Sequence, residues 1–248
     1  MNGFKKQLQV LSYCLLTPLL LMCSNNVDKE MYKVERLSDP VKIDANWDKL
    51  PWNIIQPLKI NNYMGDKPDH KPIVLAKLAY DQDAIYVIFQ VKDQYVRAVA
   101  DNYQGKVYED SCVEFFFTPG GDIKKGYFNL ETNCAGTALF HFQKIPRKDA
   151  VSIPHEIFNE IEMAHSLPGI IDPEITDQIT WTLEYRIPFD ILRDQYDITD
   201  PASGETWLAN LYKCGDKTSH PHWLTWSVID KPKPDFHVPE YFGILEFQ

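Results

Sequence analysis

Basic residues are scarce in this 248-residue chain, where 25 Lys and Arg stand against 35 Asp and Glu for a formal charge of -10. Without a run of Lys or Arg the chain has little with which to neutralise phosphates, which disfavours nucleic acid and anionic membrane surfaces as partners. Cysteine is sparse too, at five, and two of these, Cys14 and Cys23, sit near the N-terminus. The other three, Cys112, Cys134 and Cys214, allow at most one intramolecular disulfide, and their spacing fits no zinc motif. With 11 glycines in all, the chain has no Gly-x-Ser-x-Gly elbow and no phosphate loop, nor does it carry His-Glu-x-x-His. No long amphipathic helix, internal repeat or linker interrupts it, so one domain is expected.

The long hydrophobic run is confined to the start. Lys5 and Lys6 precede an apolar stretch from Leu8 to Met22, which reads as an export signal over residues 1–22 and is short for a membrane span. Leu20-Leu-Met-Cys23 resembles a bacterial lipobox, with Cys23 as the lipidated first residue of the mature chain. Residues 23–41 then serve as a lipid-anchored tether and 42–248 as the folded domain. The expected location is the bacterial cell envelope, on an outer-membrane anchor.

What is present after that is period-two patterning with turn signals. Ile73 to Tyr80 and Ala84 to Lys92 flank Asp81-Gln-Asp83 as a hairpin, and Tyr127 to Asn133 and Thr137 to Phe142 flank Cys134-Ala-Gly136 as another. Trp181 to Ile187 alternates, with Trp181, Leu183, Tyr185 and Ile187 inward and Thr182, Glu184 and Arg186 outward on a solvated face, until Pro188 ends it. Phe189 to Arg193 suits one helical turn, and Thr206 to Lys213 and Trp223 to Val228 read as strands. The expected fold is all-β: an antiparallel sandwich of two sheets with little helix.

The unusual segment is Val107-Tyr-Glu-Asp-Ser-Cys-Val-Glu-Phe-Phe-Phe117. Alternation puts Ser111, Val113, Phe115 and Phe117 on one face, and Tyr108, Asp110, Cys112, Glu114 and Phe116 on the other. Two carboxylates on a face shared with bulky aromatics ask for solvent, a cation or a hydroxyl-rich ligand. Asn129, Glu131 and Asn133 alternate in the same way and extend this polar face if their strand is a neighbour.

Five motifs in order, Ile43 to Trp52, Ala76 to Val87, Tyr108 to Phe115, Glu184 to Phe189 and Trp207 to Gly243, resemble the family 9 carbohydrate-binding modules and their stand-alone lipoprotein relatives. The resemblance implies a β-sandwich that binds oligosaccharide or polysaccharide without cleaving it, holding the sugar between two aromatic rings and supporting glycan-degrading enzymes or transporters. Carried over, the first ring is Tyr108, in place of a larger Trp, and the carboxylate that grips hydroxyls is Glu114. The second ring is Trp226, or failing that Trp223, which lies three residues away and must face the opposite side. Asn210 is either a sugar contact or a buried structural amide, and Asp110 braces the strand or a cation. No cofactor is expected; the resemblance admits a structural calcium whose ligands it does not identify.

On a continuous strand Tyr108 and Glu114 lie about 20 Å apart, so the chain has to curl before Asp110, with Gly105 supplying the bend. Trp47 and Trp52 are expected to cover a sandwich edge, Trp181 and Trp207 to be core, and Arg186 to pair with Glu184 or Glu114. Two other functions stay open. A glycoside-active enzyme would need Glu114 and a cross-strand carboxylate such as Glu131 at the right separation, and a haem-binding electron carrier would draw on Met64, Met163, His70 and His165. His220 and His222 alternate as a weak metal-ligand pair or flank a binding loop.

Overall fold

A computed structural model describes residues 29–193, 195–198 and 201–248, and the export signal and Cys23 lie outside the described residues. Sixteen strands account for most of the order. They are β1 (Met31–Arg36), β2 (Leu58–Lys59), β3 (Asn62–Tyr63), β4 (Ile73–Tyr80), β5 (Ala84–Asp93), β6 (Val96–Ala98), β7 (Cys112–Thr118) and β8 (Tyr127–Asn133). The second half supplies β9 (Ala138–Gln143), β10 (Val151–Ser152), β11 (Glu162–His165), β12 (Ile171–Ile175), β13 (Ile179–Pro188), β14 (Thr206–Cys214), β15 (Trp223–Thr225) and β16 (Gly243–Phe247). Two four-residue helices, α1 (His155–Phe158) and α2 (Asp190–Arg193), are the α-helix among the described residues, and none is long and apolar enough to cross a membrane.

The front sheet runs β10-β9-β8-β7-β14-β16-β1, with β15 beside the end of β14 and β3 beside β15. The back sheet runs β1-β4-β5-β13-β11, with β2 on β4, and β6 and β12 pair separately. β1 belongs to both sheets: Met31 to Val34 run parallel to β16, and Glu35 and Arg36 run parallel to β4. Two features thus depart from expectation. The sandwich is antiparallel except at β1, and residues 31–36, read as tether, are a structural strand.

Both anticipated hairpins form, and their turns show why. Asp81 Oδ1 accepts from the backbone N–H of Asp83 and Ala84 at 2.8 and 2.9 Å, while Asn133 Oδ1 accepts from Ala135 and Thr137 at 3.2 and 2.9 Å. Gly136, at φ +85°, takes the left-handed position that a Cβ disfavours. Phe115, Phe117, Phe128, Leu130 and Trp207 from the front sheet meet Val87, Phe89, Trp181, Leu183 and Tyr185 from the back sheet in one buried core.

The outer face of the back sheet is covered, against expectation. Trp52 is fully buried against Ala79, Ala84, Tyr86 and Ile88, so it covers a sheet face rather than an edge, and Lys77 sits 4.0 Å from the Trp47 ring. Glu184 ties this loop down: its carboxylate accepts from the N–H of Asp44 and Ala45, from Trp52 Nε1, and from Lys49. Thr182 joins it by donating to Ala45 O at 2.7 Å, so two of the three outward polar residues of β13 bind a loop instead of water. Arg186 reaches Glu162 and the Tyr86 hydroxyl, and pairs with neither Glu184 nor Glu114.

Candidate functional site

The acidic segment is not one strand. Val107–Glu109 forms a 3-10 turn, and the ladder of β7 begins only at Cys112. Asp110 N donates to Val107 O at 3.1 Å to close the turn, whose carbonyls then receive N–H groups from beyond β14: Asp216 to Tyr108 O at 3.2 Å and Lys217 to Glu109 O at 3.0 Å. Asp110 locks the far side, accepting from Arg97 at 2.9 Å, Ala100 N at 2.9 Å and Asn133 Nδ2 at 3.0 Å. That arrangement returns Tyr108 over the outer face of the front sheet, where it and Glu114 line the same cavity.

The cavity has a volume of about 450 Å³, within the range of sites for small polar ligands. β7, β8 and β14 form its floor: Glu114 stands opposite Glu131 in the β7–β8 register and opposite Tyr212 in the β7–β14 register. Trp223 and Asp216 line it alongside Tyr108, and Trp223 Nε1 donates to Asp216 Oδ1 at 2.7 Å, which holds the indole. The loop after β15 closes another side with Asp235, Phe236 and His237; Phe236 stacks on Tyr212 with ring centres 4.1 Å apart. Arg147 bonds to Asp235 at 2.8 Å at the rim.

Burial sets the electrostatics. Glu131 is pushed up to about 7 by loss of solvent, opposed by the Asn129 amide that donates to it at 3.0 Å. Glu114 is raised well above the usual carboxylate range by burial and by its neighbours Cys214 and Glu131; the Cys214 thiol donates to it at 3.2 Å. Burial holds His237 down at about 4 and lowers His141, so both rings are neutral near pH 7. Gln143 links the floor to the loop, donating to Asn129 Oδ1 at 2.8 Å and accepting from Arg147 N at 2.7 Å. Hydroxyl-rich ligands need such a mixture of fixed donors, acceptors and flat rings.

Other expected residues lie elsewhere. Trp226 is 5 % exposed, packs in the main core with its ring against Gly243, and does not line this cavity; the less buried member of the Trp223 and Trp226 pair is Trp223, which is half-buried. Asn210 is a structural amide, exchanging bonds with Ser227 N at 2.9 Å and Ser227 O at 3.1 Å. His222, lowered to about 3 chiefly by burial, receives Lys213 at 2.7 Å, and His220 stacks on Tyr95, so they do not act as a metal pair. Met64 packs under the loop before β16 and His70 bonds to Asp93, both from the loop between β3 and β4, whereas Met163 and His165 sit on β11 of the back sheet, so no single element gathers the haem candidates. Cys112, Glu114 and Cys214 form the one three-residue group of metal-capable side chains among the described residues. Two thiols do not suit calcium, which takes oxygen ligands.

Arg147, Asp216, Asp235 and His237 escaped the sequence reading because they lie in aperiodic loops. Glu131 carried a signal, its place in the alternation of β8.

The sequence matches carbohydrate-binding family 9 over residues 41–247. No curated protein matches it. Among solved structures, a candidate carbohydrate-binding protein from Bacteroides uniformis is 31 % identical, with a TM-score of 0.80 over 89 % of this chain and 100 % of that one. A family 9 carbohydrate-binding module from Caldicellulosiruptor kristjanssonii solved with glucose is similar in fold, at 16 % identity and a TM-score of 0.62 over 88 % of this chain and 96 % of that one. A structure with cellotriose of a family 9 module from that organism gives the same identity and TM-score over 88 % and 94 %.

Proposed function

This chain belongs to carbohydrate-binding family 9, and from that premise we propose that it binds oligosaccharide without cleaving it, in the cavity lined by Tyr108, Trp223 and Glu114. The observation that carries the reading is the 3-10 turn at Val107–Glu109, which puts an aromatic ring and a buried carboxyl on one cavity despite their separation in sequence. Ring faces suit the apolar C–H patches of a sugar, and Glu114, Glu131 and Asp216 suit its hydroxyls. Dissociation constants on the order of micromolar to millimolar are expected for a single site of this kind.

Calorimetric titration of the purified domain against a glycan panel tests the reading. Binding that is lost in Tyr108→Ala and Trp223→Ala supports it; no binding to any glycan, or two silent variants, refutes it. Because Glu114 and Glu131 are register partners, hydrolysis is the second reading, as two carboxyls across a scissile bond are what a glycosidase requires. Product formation by the pure protein, abolished in Glu114→Gln, would replace binding with catalysis.

The envelope anchor belongs to the same proposal and rests on Lys5, Lys6, the apolar run and Leu20 to Cys23. Held there by a lipid on Cys23, the domain would retain glycan for degrading enzymes or transporters. Cys23→Ser should release the protein from the membrane fraction, and unchanged fractionation would refute lipidation.

A further inference from the structure

We propose that the preferred occupant of this cavity carries a cationic nitrogen: an amino sugar with a free amine, in preference to its N-acetylated, neutral or acidic counterparts. The inference rests on the carbohydrate-binding reading of the same cavity and narrows its ligand class.

Six carboxyl side chains are buried among the described residues: Asp81, Asp93, Asp110, Glu114, Glu131 and Glu184. Four of them are compensated inside the fold. Asp110 has Arg97, Glu184 has Lys49, Asp93 has Lys213 and His70, and Asp81 has two backbone N–H groups and the Tyr86 hydroxyl. Glu114 and Glu131 have neither a cation within 4.0 Å nor a backbone donor among the described residues; a thiol serves one and an amide the other. These two are also the pair that lines the cavity.

Two neighbouring carboxyls sheltered from water cannot both ionise without a cation between them. The remaining charged lining does not supply one. Asp216 and Asp235 add acid, and Arg147, the one guanidinium, favours the charged form of Glu131 from a distance but bonds to neither glutamate and is paired with Asp235 at 2.8 Å. His141 and His237 are kept neutral by burial. An ammonium on the ligand would let Glu114 and Glu131 ionise and would share their charge through short, charge-assisted bonds. A ligand carboxylate or sulfate would add a further negative group to four. The faces of Tyr108 and Trp223 favour a cation as well. Acetylation leaves the sugar ring in place and removes the charge, so it isolates the effect.

The test is calorimetric titration of the protein, in chelator-treated buffer at mildly acidic pH, with three ligands of one linkage: a β-1,4 glucosamine trimer, its fully N-acetylated form, and cellotriose. The glucosamine trimer should bind tighter than either by about tenfold or more, the difference expected of one hydrogen-bonded charge pair. The ratio of free to acetylated trimer should fall towards one in Glu131→Gln and in Glu114→Gln, with thermal melts confirming that each variant is folded. Equal or weaker binding of the glucosamine trimer overturns the inference, and binding of cellotriose in that same experiment leaves the carbohydrate-binding reading standing. Failure of all three ligands to bind overturns the inference, and failure across the wider glycan panel removes the reading beneath it.

Discussion

Trp223 and Trp226 are three residues apart and do different work. Trp223 is held at the cavity by Asp216, whereas Trp226 fills the core against Gly243. Trp223→Ala should therefore weaken sugar binding about tenfold or more while leaving the fold intact, since it removes a stacking face and not a core side chain. Trp226→Ala should instead cost about 3–5 kcal/mol of stability, the usual penalty for a cavity of that size, measured by urea unfolding. Glu131 makes a separate prediction. Its folded pKa of about 7 exceeds the ordinary 4.5, so the folded state binds more protons across that window and stability falls as pH rises through it. His222 and His237, lowered by burial, act in the opposite direction between about 3 and 6.5. Glu114, raised in the same direction, adds to the downward slope, so the measurement is the difference between wild type and Glu131→Gln, which should lose the share of the downward component that belongs to Glu131. A pH-independent difference would contradict the burial of that carboxyl.

Elements show where period-two reasoning succeeds and where it stops. The hairpins at Asp81 and Asn133 were legible because a turn is a local event: the side chain that caps it lies within a few residues. The outer face of β13 was misread as solvated because its cover, the loop carrying Asp44, Ala45 and Trp52, lies some 140 residues away in sequence. Glu184→Ala should cost about 3–5 kcal/mol, because it leaves two backbone N–H groups and an indole N–H without an acceptor in a buried place. Limited proteolysis should then cut within residues 44–56 before any other site. Tyr108 falls between these cases. That the chain must bend ahead of Asp110 followed from strand geometry alone, but the 3-10 turn is held by N–H groups of Asp216 and Lys217, more than 100 residues downstream.

At the scale of the molecule, the two sheets share one strand and one core. β1 pairs with β16 and then with β4, so a segment expected to tether the domain instead ties its two layers together. Deleting residues 29–36 should consequently lower the melting temperature markedly, and an unchanged melting temperature would show that the strand is dispensable. The three cysteines of the domain are free and buried, and burial pushes the Cys112 thiol up to about 12. A thiol so placed is a poor nucleophile, so Cys112, Cys134 and Cys214 should react with a thiol reagent only after denaturation. Fast labelling of the native domain would show that the cavity floor opens.

The sequence by itself determined the all-β class, the positions of the hairpins, the family, and the presence of an aromatic and a carboxyl near the site, because alternation, turn chemistry and ordered motifs are local or additive properties. Only the tertiary structure decided which tryptophan faces the cavity, that Asn210 is structural, and that Glu131, Asp216 and the loop around Asp235 join Tyr108 and Glu114. Those choices depend on strand register and on what covers each face, and both are set by contacts between residues far apart in the chain.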